Sequence, residues 1–344
     1  ENEDLRVTVL VEGGHIAEFA DKRSNTNPMW TPPWPSMEPS AYSPKTHPQY
    51  GAEPESKLLA GIMGHNLCLD VFGGPSPEEQ AAGIGVHGES SVVAYEVSGG
   101  GMDLTARANL PLAQLRVERR LRLAPGARVL HITETVENLS ATDRPVAWTQ
   151  HVTLGPPYLE KGVTQFRMPG TRSKVIETDF GNGKGLMKIG AEFDWPNVPR
   201  SDRGSIDLST YTSAPVSAAY TAHLMDPHRE QAWFTAFTPS SKLAFGYAWK
   251  RSDFPWLGIW EENMAREHPP WHGKAVTRGM EFGASPMPES RKQMIERGSL
   301  FGVPGYRWLG AKTKTTVQYC AFLIPAAKVP ESIAWDGRHG IRAE

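Results

Sequence analysis

The sequence predicts an all-β protein, a large antiparallel β-sandwich with few short helices. Three observations favour this fold class. The chain of 344 residues contains 29 prolines and 33 glycines, which disfavour long helices because proline removes a hydrogen-bond donor and glycine favours positive φ. Many segments between them alternate polar and apolar side chains, as in an antiparallel sheet with one wetted face. Short turns join consecutive segments, which is typical of a meander.

Length and charge limit the kind of partner. Large β-sandwiches commonly exceed 200 residues and no shift in composition divides this chain, so we expect a single domain over residues 1–344. A formal net charge of −2 without a Lys or Arg run argues against nucleic acid and anionic membranes. No apolar run approaches the roughly 20 residues of a membrane helix. We therefore expect a small-molecule partner and a soluble protein, either cytoplasmic or exported after removal of a signal peptide.

The first elements are a hairpin and a long loop. Residues 6–11 alternate polar and apolar side chains, and a Gly-Gly pair then turns the chain into a second strand over residues 15–19. The insertion at about 25–56 is rich in proline and carries Trp30 and Trp34, so it cannot join a central sheet. We expect a rigid loop over a cavity, and a surface loop packed by its own aromatic side chains is the competing interpretation.

The next stretch contains two histidines, a cysteine and a helix signal. His65 opens an apolar segment that contains Cys68, and Cys320 lies in a similar segment near the end. Two buried free thiols are favoured over a disulfide, because free cysteine is among the most buried residue types. Residues 75–82 contain a Ser followed by acidic residues, which predicts a short helix. The chain then makes a tight turn at Val86-His87-Gly88-Glu89.

The middle of the chain has the clearest strand pattern. Four segments separated by glycine and proline turns are predicted to pair consecutively: 92–97, 102–108, 115–123 and 129–138. An extended segment that carries His151 follows them.

The pattern weakens after His151 and becomes clear again in the last third. In the run 278–289, an apolar, β-prone segment ends in small and proline residues, so we expect Glu281 to lie near a strand end and to face a cavity. A short helix is predicted near residues 290–297. The remaining predicted strands cover 232–238, 243–249, 256–260 and 313–324.

Three motifs occur in an order and spacing typical of one known family. The first is the turn over residues 86–89, and the second is the strand, turn and strand over 132–151 that ends at a histidine. The third combines residues 257–260 with 279–282, where the glutamate lies. Together, over roughly residues 5–325, they resemble the aldose 1-epimerase (galactose mutarotase-like) supersandwich family.

The resemblance implies a galactose mutarotase-like supersandwich that binds a small-molecule carbohydrate and requires neither a cofactor nor a metal. It implies that Glu281 is the catalytic base, His151 the catalytic acid and His87 a group that binds the sugar. The family's arginine upstream of the first histidine has no counterpart between residues 58 and 72, where His65 is the nearest candidate.

Anomer interconversion explains why these residue types are required. A base takes the proton of the anomeric hydroxyl while an acid protonates the ring oxygen, so that the hemiacetal opens. Apolar neighbours would raise the pKa of Glu281 toward neutrality, and a neighbouring carboxylate would keep His151 protonated. The predicted substrate-binding residues, which offer hydrogen bonds or aromatic stacking, are His65, His87, Glu89, Trp30, Trp34 and Trp260.

Two other functions fit the same residues. A non-catalytic carbohydrate-binding protein would keep the fold and the cleft without the acid-base chemistry. A metal-dependent sugar isomerase or lyase would use His87, Glu89 and His151, because a His-x-Glu pair on a strand points both side chains to one face. A measurement of anomer exchange distinguishes the non-catalytic binding protein from an epimerase. Elemental analysis for bound metal tests the metal-dependent alternative.

Overall fold

Strands dominate the computed structural model, which describes residues 1–337 and 340–344. The strands of the first half are β1 Leu5–Val9, β2 Ile16–Asp21, β3 His65–Asp70, β4 Glu96–Gly100, β5 Asp103–Leu110, β6 Leu115–Leu123, β7 Val129–Asn138, β8 Arg144–Leu154, β9 Gln165–Arg167 and β10 Gly170–Val175. Those of the second half are β11 Glu192–Asp194, β12 Asn197–Pro199, β13 Ser205–Asp207, β14 Ser217–Met225, β15 Gln231–Thr238, β16 Leu243–Lys250, β17 Trp256–Asn263, β18 Val276–Gly283, β19 Ser299–Leu300, β20 Val303–Pro304, β21 Arg307–Leu309, β22 Lys314–Pro325, β23 Ile333–Trp335 and β24 Ile341–Ala343.

Helices are few and short, as the sequence predicts. Two of them begin at the predicted serines, because Ser76 and Ser290 each form a capping box with the side chain three residues later. None of the described helices combines the length and the apolar character that a membrane crossing requires. The helices are α1 Ser56–Gly61, α2 Pro77–Ala81 and α3 Arg291–Arg297, with 3-10 turns at Pro39–Ala41 and Pro48–Tyr50.

Two large antiparallel sheets form the sandwich. The first sheet has the order β1-β2-β3-β8-β18-β17-β14-β10-β11, with β21 paired to β8. The second has the order β4-β5-β6-β7-β22-β16-β15-β9, which begins with the predicted meander. Buried apolar side chains of both sheets, such as Val152 and Phe282 from the first and Val117 and Phe245 from the second, belong to one core. The predicted all-β antiparallel sandwich is therefore confirmed.

A buried ionic network also links the two sheets. The Nε of Arg119 on β6 lies 2.8 Å from the Oε2 of Glu134 on β7. Glu134 accepts hydrogen bonds across the sandwich from Trp148 Nε1 at 2.5 Å and from Gln150 Nε2 at 2.6 Å. Because these groups are buried, each charge depends on its partners for stabilisation.

Several predicted elements are confirmed, and one strand begins four residues later than predicted. The strands over 115–123 and 129–138 coincide with β6 and β7. The predicted strand at 92–97 instead begins at Glu96, because the amides of Val92 and Val93 donate to the carbonyl of Glu89 and continue the preceding turn. Both cysteines are free and buried, as expected.

One central strand has no counterpart among the predictions. Every residue of β14, Ser217–Met225, is buried. Alternation between polar and apolar residues disappears when both faces of a strand are covered, so the periodic signal is absent there.

The insertion at 25–56 packs along the first sheet but contributes no strand to it. The amide of Trp30 donates to the carbonyl of Thr153 at 2.8 Å, which holds the start of the loop against β8. Two 3-10 turns that start at prolines follow, and the loop then leads into α1. The loop therefore places Glu55 and the residues of α1 above the outer face of the sheet.

Candidate active site

A row of directly opposed residues crosses the centre of the first sheet. Glu281 on β18 is opposite His151 on β8 and Gly258 on β17, and His151 is opposite Asn66 on β3. Side chains of directly opposed residues project from the same face of a sheet. Because Met280 is in the sandwich core, Glu281 and its row project from the outer face.

Two glycines make room for the carboxylate on this face. A Cβ added to Gly279 would lie 2.4 Å from Oε1 of Glu281, so the carboxyl group folds back over a position that only glycine leaves open. A Cβ on Gly258 would lie 2.2 Å from the hydroxyl of Tyr220. The side chains of Glu281 and Tyr220 therefore take up space that is open only because positions 279 and 258 are glycines without a Cβ.

The turn between β3 and β4 brings His87 to the same place. His87 has a φ of 64° and Gly88 a φ of 75°, so two consecutive left-handed residues reverse the chain direction. The ring centroids of His87 and His151 are 4.8 Å apart. Among the described residues, no group makes a hydrogen bond with Nδ1 of His87.

His151 and Glu281 form the central contact. His151 Nε2 lies 3.1 Å from Glu281 Oε1, and the two side chains are only 6% and 2% exposed. The other imidazole nitrogen, Nδ1, lies 2.9 Å from the hydroxyl of Thr153, which orients the ring. Within the described part of the chain, Oε1 of Glu281 has no partner in hydrogen-bonding geometry. The two side chains are therefore in close contact, and the carboxyl group retains hydrogen-bonding capacity for another molecule.

Burial sets the protonation of this pair. Burial raises the pKa of Glu281 well above its ordinary value, because a buried carboxylate loses its hydration. Burial also lowers the pKa of His151 to about 3 and that of His87 well below its ordinary value. Both shifts favour the uncharged forms, a protonated carboxyl group and a neutral imidazole, over an ion pair.

A cavity of about 220 Å³ lies above the pair. This volume is below the roughly 300–1,000 Å³ typical of sites for drug-sized ligands, so one small ring suits it better than a chain of rings. The groups at its floor are His87, His151 and Glu281. Its aromatic wall consists of Phe72, Phe180, Tyr220, Trp260 and Trp271, and its aliphatic wall of Leu58, Leu59, Ile62, Val86 and Pro288.

A paired cation forms part of the cavity lining. Arg266 Nη1 lies 3.5 Å from Glu55 Oε2, and Arg266 Nε lies 3.4 Å from Glu262 Oε2. The guanidinium also stacks over Trp271 at 4.8 Å from the ring centroid. Burial would raise the pKa of Glu55, but His268, Arg266 and Trp271 together lower it, whereas burial raises the pKa of Glu262.

Comparison with known proteins places this geometry in a known fold. No family model and no curated protein sequence matches the chain. Among solved structures, a Klebsiella pneumoniae protein described provisionally as an aldose 1-epimerase covers 94% of this chain and 77% of its own, at 14% identity and a TM-score of 0.66. An Escherichia coli protein with the same provisional description covers 94% and 97%, at 13% identity and a TM-score of 0.61. A galactose mutarotase-like protein from Clostridium acetobutylicum covers 94% and 94%, at 12% identity and a TM-score of 0.60.

The chain has the galactose mutarotase-like fold. The resemblance inferred from the three motifs is thus confirmed for the fold, and identities this low establish the fold alone. The same fold explains why residues about 65 to 215 positions apart meet, because β3, β8, β18 and β17 are neighbours in one sheet although they are distant in sequence.

Of the three tryptophans predicted to bind the substrate, one lines the cavity and two pack behind its lining. Trp260 lines the cavity, and its ring centroid lies 5.6 Å from that of His151. Trp30 and Trp34 lie behind it, because Trp30 packs on Trp260 and Trp271, and Trp34 packs its edge on Trp271. The structure therefore places Trp30 and Trp34 outside the cavity lining, where they support the indoles that form it.

Glu89 and His65 are not in the site. Glu89 accepts hydrogen bonds from the amides of Leu112 and Ala113, at 3.2 and 2.7 Å. The strand periodicity that predicted one shared face with His87 does not apply, because the intervening turn is left-handed. His65 is opposite Val152 and faces the sandwich core, where its ring nitrogens contact Tyr247 and Gln150.

The metal-binding alternative lacks its ligand set. The predicted set was His87, Glu89 and His151, and Glu89 is committed elsewhere. Within residues 1–337 and 340–344, no group of three or more His, Cys, Asp or Glu side chains is arranged to hold a metal ion.

Four residues of this site were missed in the sequence. Arg266 and Trp271 lie in the irregular connection between β17 and β18, and Glu55 ends the proline-rich loop. Their only sequence signal is local enrichment of Trp, His and Pro. Asn66 is the fourth: it does not line the cavity itself but is buried opposite His151, and neither of its amide atoms has a hydrogen-bond partner in the described part of the chain.

Proposed function

We propose that the protein is an aldose 1-epimerase-like enzyme that interconverts the anomers of a small sugar or sugar derivative. The observation that carries this proposal is the 3.1 Å contact between buried His151 Nε2 and Glu281 Oε1 at the floor of a cavity. Two proton-transfer groups with displaced pKa values in one cleft are typical of acid-base catalysis.

The proposed reaction transfers two protons in each direction. One group of the pair accepts the proton of the anomeric hydroxyl, the bond between C1 and the ring oxygen breaks, and the other group donates a proton to that oxygen. The resulting aldehyde rotates about the bond between C1 and C2. Closure on the other face reverses both transfers and restores the pair to its starting protonation.

The directions of the pKa shifts favour the reverse of the roles expected from the resemblance, in which Glu281 is the base and His151 the acid. Because burial favours the protonated carboxyl group of Glu281 and the neutral imidazole of His151, these shifts favour Glu281 as donor to the ring oxygen and His151 as acceptor from the anomeric hydroxyl. The reverse arrangement holds the same number of protons, so both assignments require the same total charge. His87 provides a third polar group for orientation, because its ring adjoins that of His151.

Anomer exchange measured by NMR tests the proposal. Two-dimensional exchange spectra or polarimetry across a panel of aldoses should give enzyme-dependent interconversion. Glu281→Gln should lower this rate by about 10²- to 10⁴-fold, because one transfer partner is lost. Glu118→Gln, on an exposed pair with Arg107, is the matched control and should retain the rate.

Two outcomes would contradict the proposal. An unchanged rate in the Glu281→Gln protein would remove the acid-base assignment. Binding of sugars without any exchange would leave the non-catalytic carbohydrate-binding function instead.

A further inference from the structure

We propose that the substrate is an uncharged cyclic hemiacetal with few hydroxyl groups, such as a deoxy or alkylated sugar. This inference rests on the proposed function and concerns the same cavity. The distribution of polar and apolar groups around the cavity carries it.

Free hydrogen-bonding groups are concentrated at one end. His87 Nδ1, Trp260 Nε1 and Glu281 Oε1 are buried without a hydrogen-bond partner within the described residues. All three belong to residues that line the cavity beside His151. They can serve the anomeric hydroxyl, the ring oxygen and one further hydroxyl.

Much of the remaining lining consists of aliphatic side chains. Leu58, Leu59 and Ile62, which come from α1 and its end, are each at most 4% exposed, and Val86 and Pro288 add to this aliphatic wall of the cavity. Aromatic rings of Phe72 and Phe180 flank it. Tyr220 contributes no free hydroxyl, because it donates to the carbonyl of Pro286 at 2.9 Å.

The polar groups away from the floor are already paired. Glu55 accepts from Trp271 Nε1 at 3.1 Å, lies 3.3 Å from His268 Nε2 and forms an ion pair with Arg266. Arg266 has a second carboxylate partner in Glu262. The single guanidinium at the cavity is therefore balanced by two acids, which disfavours a phosphorylated or carboxylated substrate.

An ordinary hexose would fit this distribution poorly. Several of its hydroxyl groups would face the aliphatic wall and lose their hydration without gaining a partner, which weakens binding. Replacing such a hydroxyl by hydrogen or a methyl group removes that penalty and adds apolar contact.

Paired substrates test the inference. The probes are D-galactose with 6-deoxy-D-galactose, D-glucose with 2-deoxy-D-glucose, and 2-hydroxytetrahydropyran, which keeps only the anomeric hydroxyl. Galactose 6-phosphate and galacturonic acid test the charge. Exchange measured by NMR should give a kcat/KM at least about tenfold higher for a deoxygenated probe than for its parent, and lower values for both anions.

Variants of the aliphatic wall provide the control. Val86→Thr preserves shape and adds one hydroxyl, and Leu58→Asn adds an amide. Each should reduce the preference for the deoxygenated probe, and the conservative Val86→Thr keeps the test valid if Leu58→Asn does not fold. Faster exchange of the parent hexoses or of an anion would overturn this inference alone. Absence of exchange with every probe would instead overturn the proposed function, and the inference with it.

Discussion

At the scale of single residues, Glu281 is held where its ionised form is costly. It is 2% exposed, and among the described residues no Lys or Arg forms an ion pair with it, while burial favours the neutral form of its neighbour His151. A buried carboxylic acid is uncharged until the pH approaches its raised pKa. The proposed reaction, in which Glu281 must release and regain a proton, and stability therefore place opposite demands on this side chain.

Replacement of Glu281 should stabilise the fold at alkaline pH. Between its unfolded pKa near 4.5 and its raised folded pKa, the folded state retains a proton that the unfolded state has lost, so stability falls as pH rises. Glu281→Gln lacks this penalty. Its stability advantage should grow by up to about 1.4 kcal/mol per pH unit between pH 5 and 8. Urea unfolding followed by circular dichroism measures it, and a constant difference would contradict a raised pKa.

Gly279 should control the position of the carboxyl group. In Gly279→Ala, the new Cβ would approach Oε1 of Glu281 to 2.4 Å, so the carboxyl group must move. A displacement of about 1 Å in a catalytic group can reduce the rate by about 100-fold. Gly100→Ala is the control, because no atom lies within 4 Å of its added Cβ. Equal anomer-exchange rates in the two variants would show that this close approach is unimportant.

At the scale of elements, the site depends on one strand register and one turn. The register of β8 with β18 sets Glu281 opposite His151, and a shift by one residue would move one of them into the core. The turn at residues 86–89 brings His87 over the sheet by two left-handed residues. Sheet and turn are therefore both required for three separated residues to meet.

The turn should be sensitive to substitution at Gly88. Gly88→Ala combines a φ of 75° with a Cβ only 2.2 Å from the carbonyl oxygen of Leu69. We expect a loss of stability greater than the roughly 1 kcal/mol of left-handed strain alone. Gly126→Ala isolates that strain, because its φ is 63° and its added Cβ meets no atom within 4 Å. Urea unfolding of both variants makes the comparison, and an equal loss would contradict the close contact.

Sequence patterns predicted the strands with one wetted face from their alternation, and the buried strands β15, β16 and β17 from apolar runs rich in aromatic residues, but they missed β14. The alternation in 115–138 defines β6 and β7, whereas fully buried β14 carries no periodic signal. For the site, motif order identified His87, His151 and Glu281. Glu89 was assigned wrongly because strand periodicity was applied to a turn, and Arg266 was missed because it lies in an irregular connection.

At the scale of the whole molecule, buried polar groups link the two sheets behind the site. Arg119 and Glu134 belong to the second sheet, while Gln150 and Trp148 belong to the strand that carries His151. Alternation along β8 points Gln150 into the core and His151 into the cavity. The network thus anchors β8 from the side opposite to the site.

Removing one charge of this network should be costly. Glu134→Gln leaves Arg119 as a buried cation without its carboxylate, which typically costs about 3–5 kcal/mol. Glu118→Gln breaks an exposed pair with Arg107, which should cost under about 1 kcal/mol. Urea unfolding at pH 7.5 compares the two variants, and similar losses would contradict the importance of the buried network.

Mild acid should destabilise the whole fold. Burial lowers the pKa of five histidines, His15 to about 4, His151 and His223 to about 3, and His65 and His87 well below 6.5. Below pH 6.5 the unfolded chain binds protons that the folded chain does not, so stability falls as pH falls. Raised pKa values of Glu89, Glu262 and Glu281 oppose this effect.

The net pH dependence of the free energy of unfolding is the sum of the five histidines, which lower stability in acid, and the three glutamates, which raise it. Between pH 6 and 5 it amounts to about two protons, or about 3 kcal/mol per pH unit. Urea midpoints at pH 6 and 5 test this, and His223→Gln, outside the site, should reduce the slope by one proton. A stability that stays constant or rises toward pH 5 would contradict the buried neutral histidines.

The tryptophan cluster has a spectroscopic consequence. Trp30, Trp34, Trp260 and Trp271 lie with ring centroids 5.0 to 6.4 Å apart, and only the last two border the cavity. Rings this close exchange excitation energy, so a change in the surroundings of Trp260 or Trp271 also alters the emission of Trp30 and Trp34. Occupancy of the cavity should therefore change the intrinsic fluorescence of the native chain, which makes the protein its own label-free sensor for any molecule that enters.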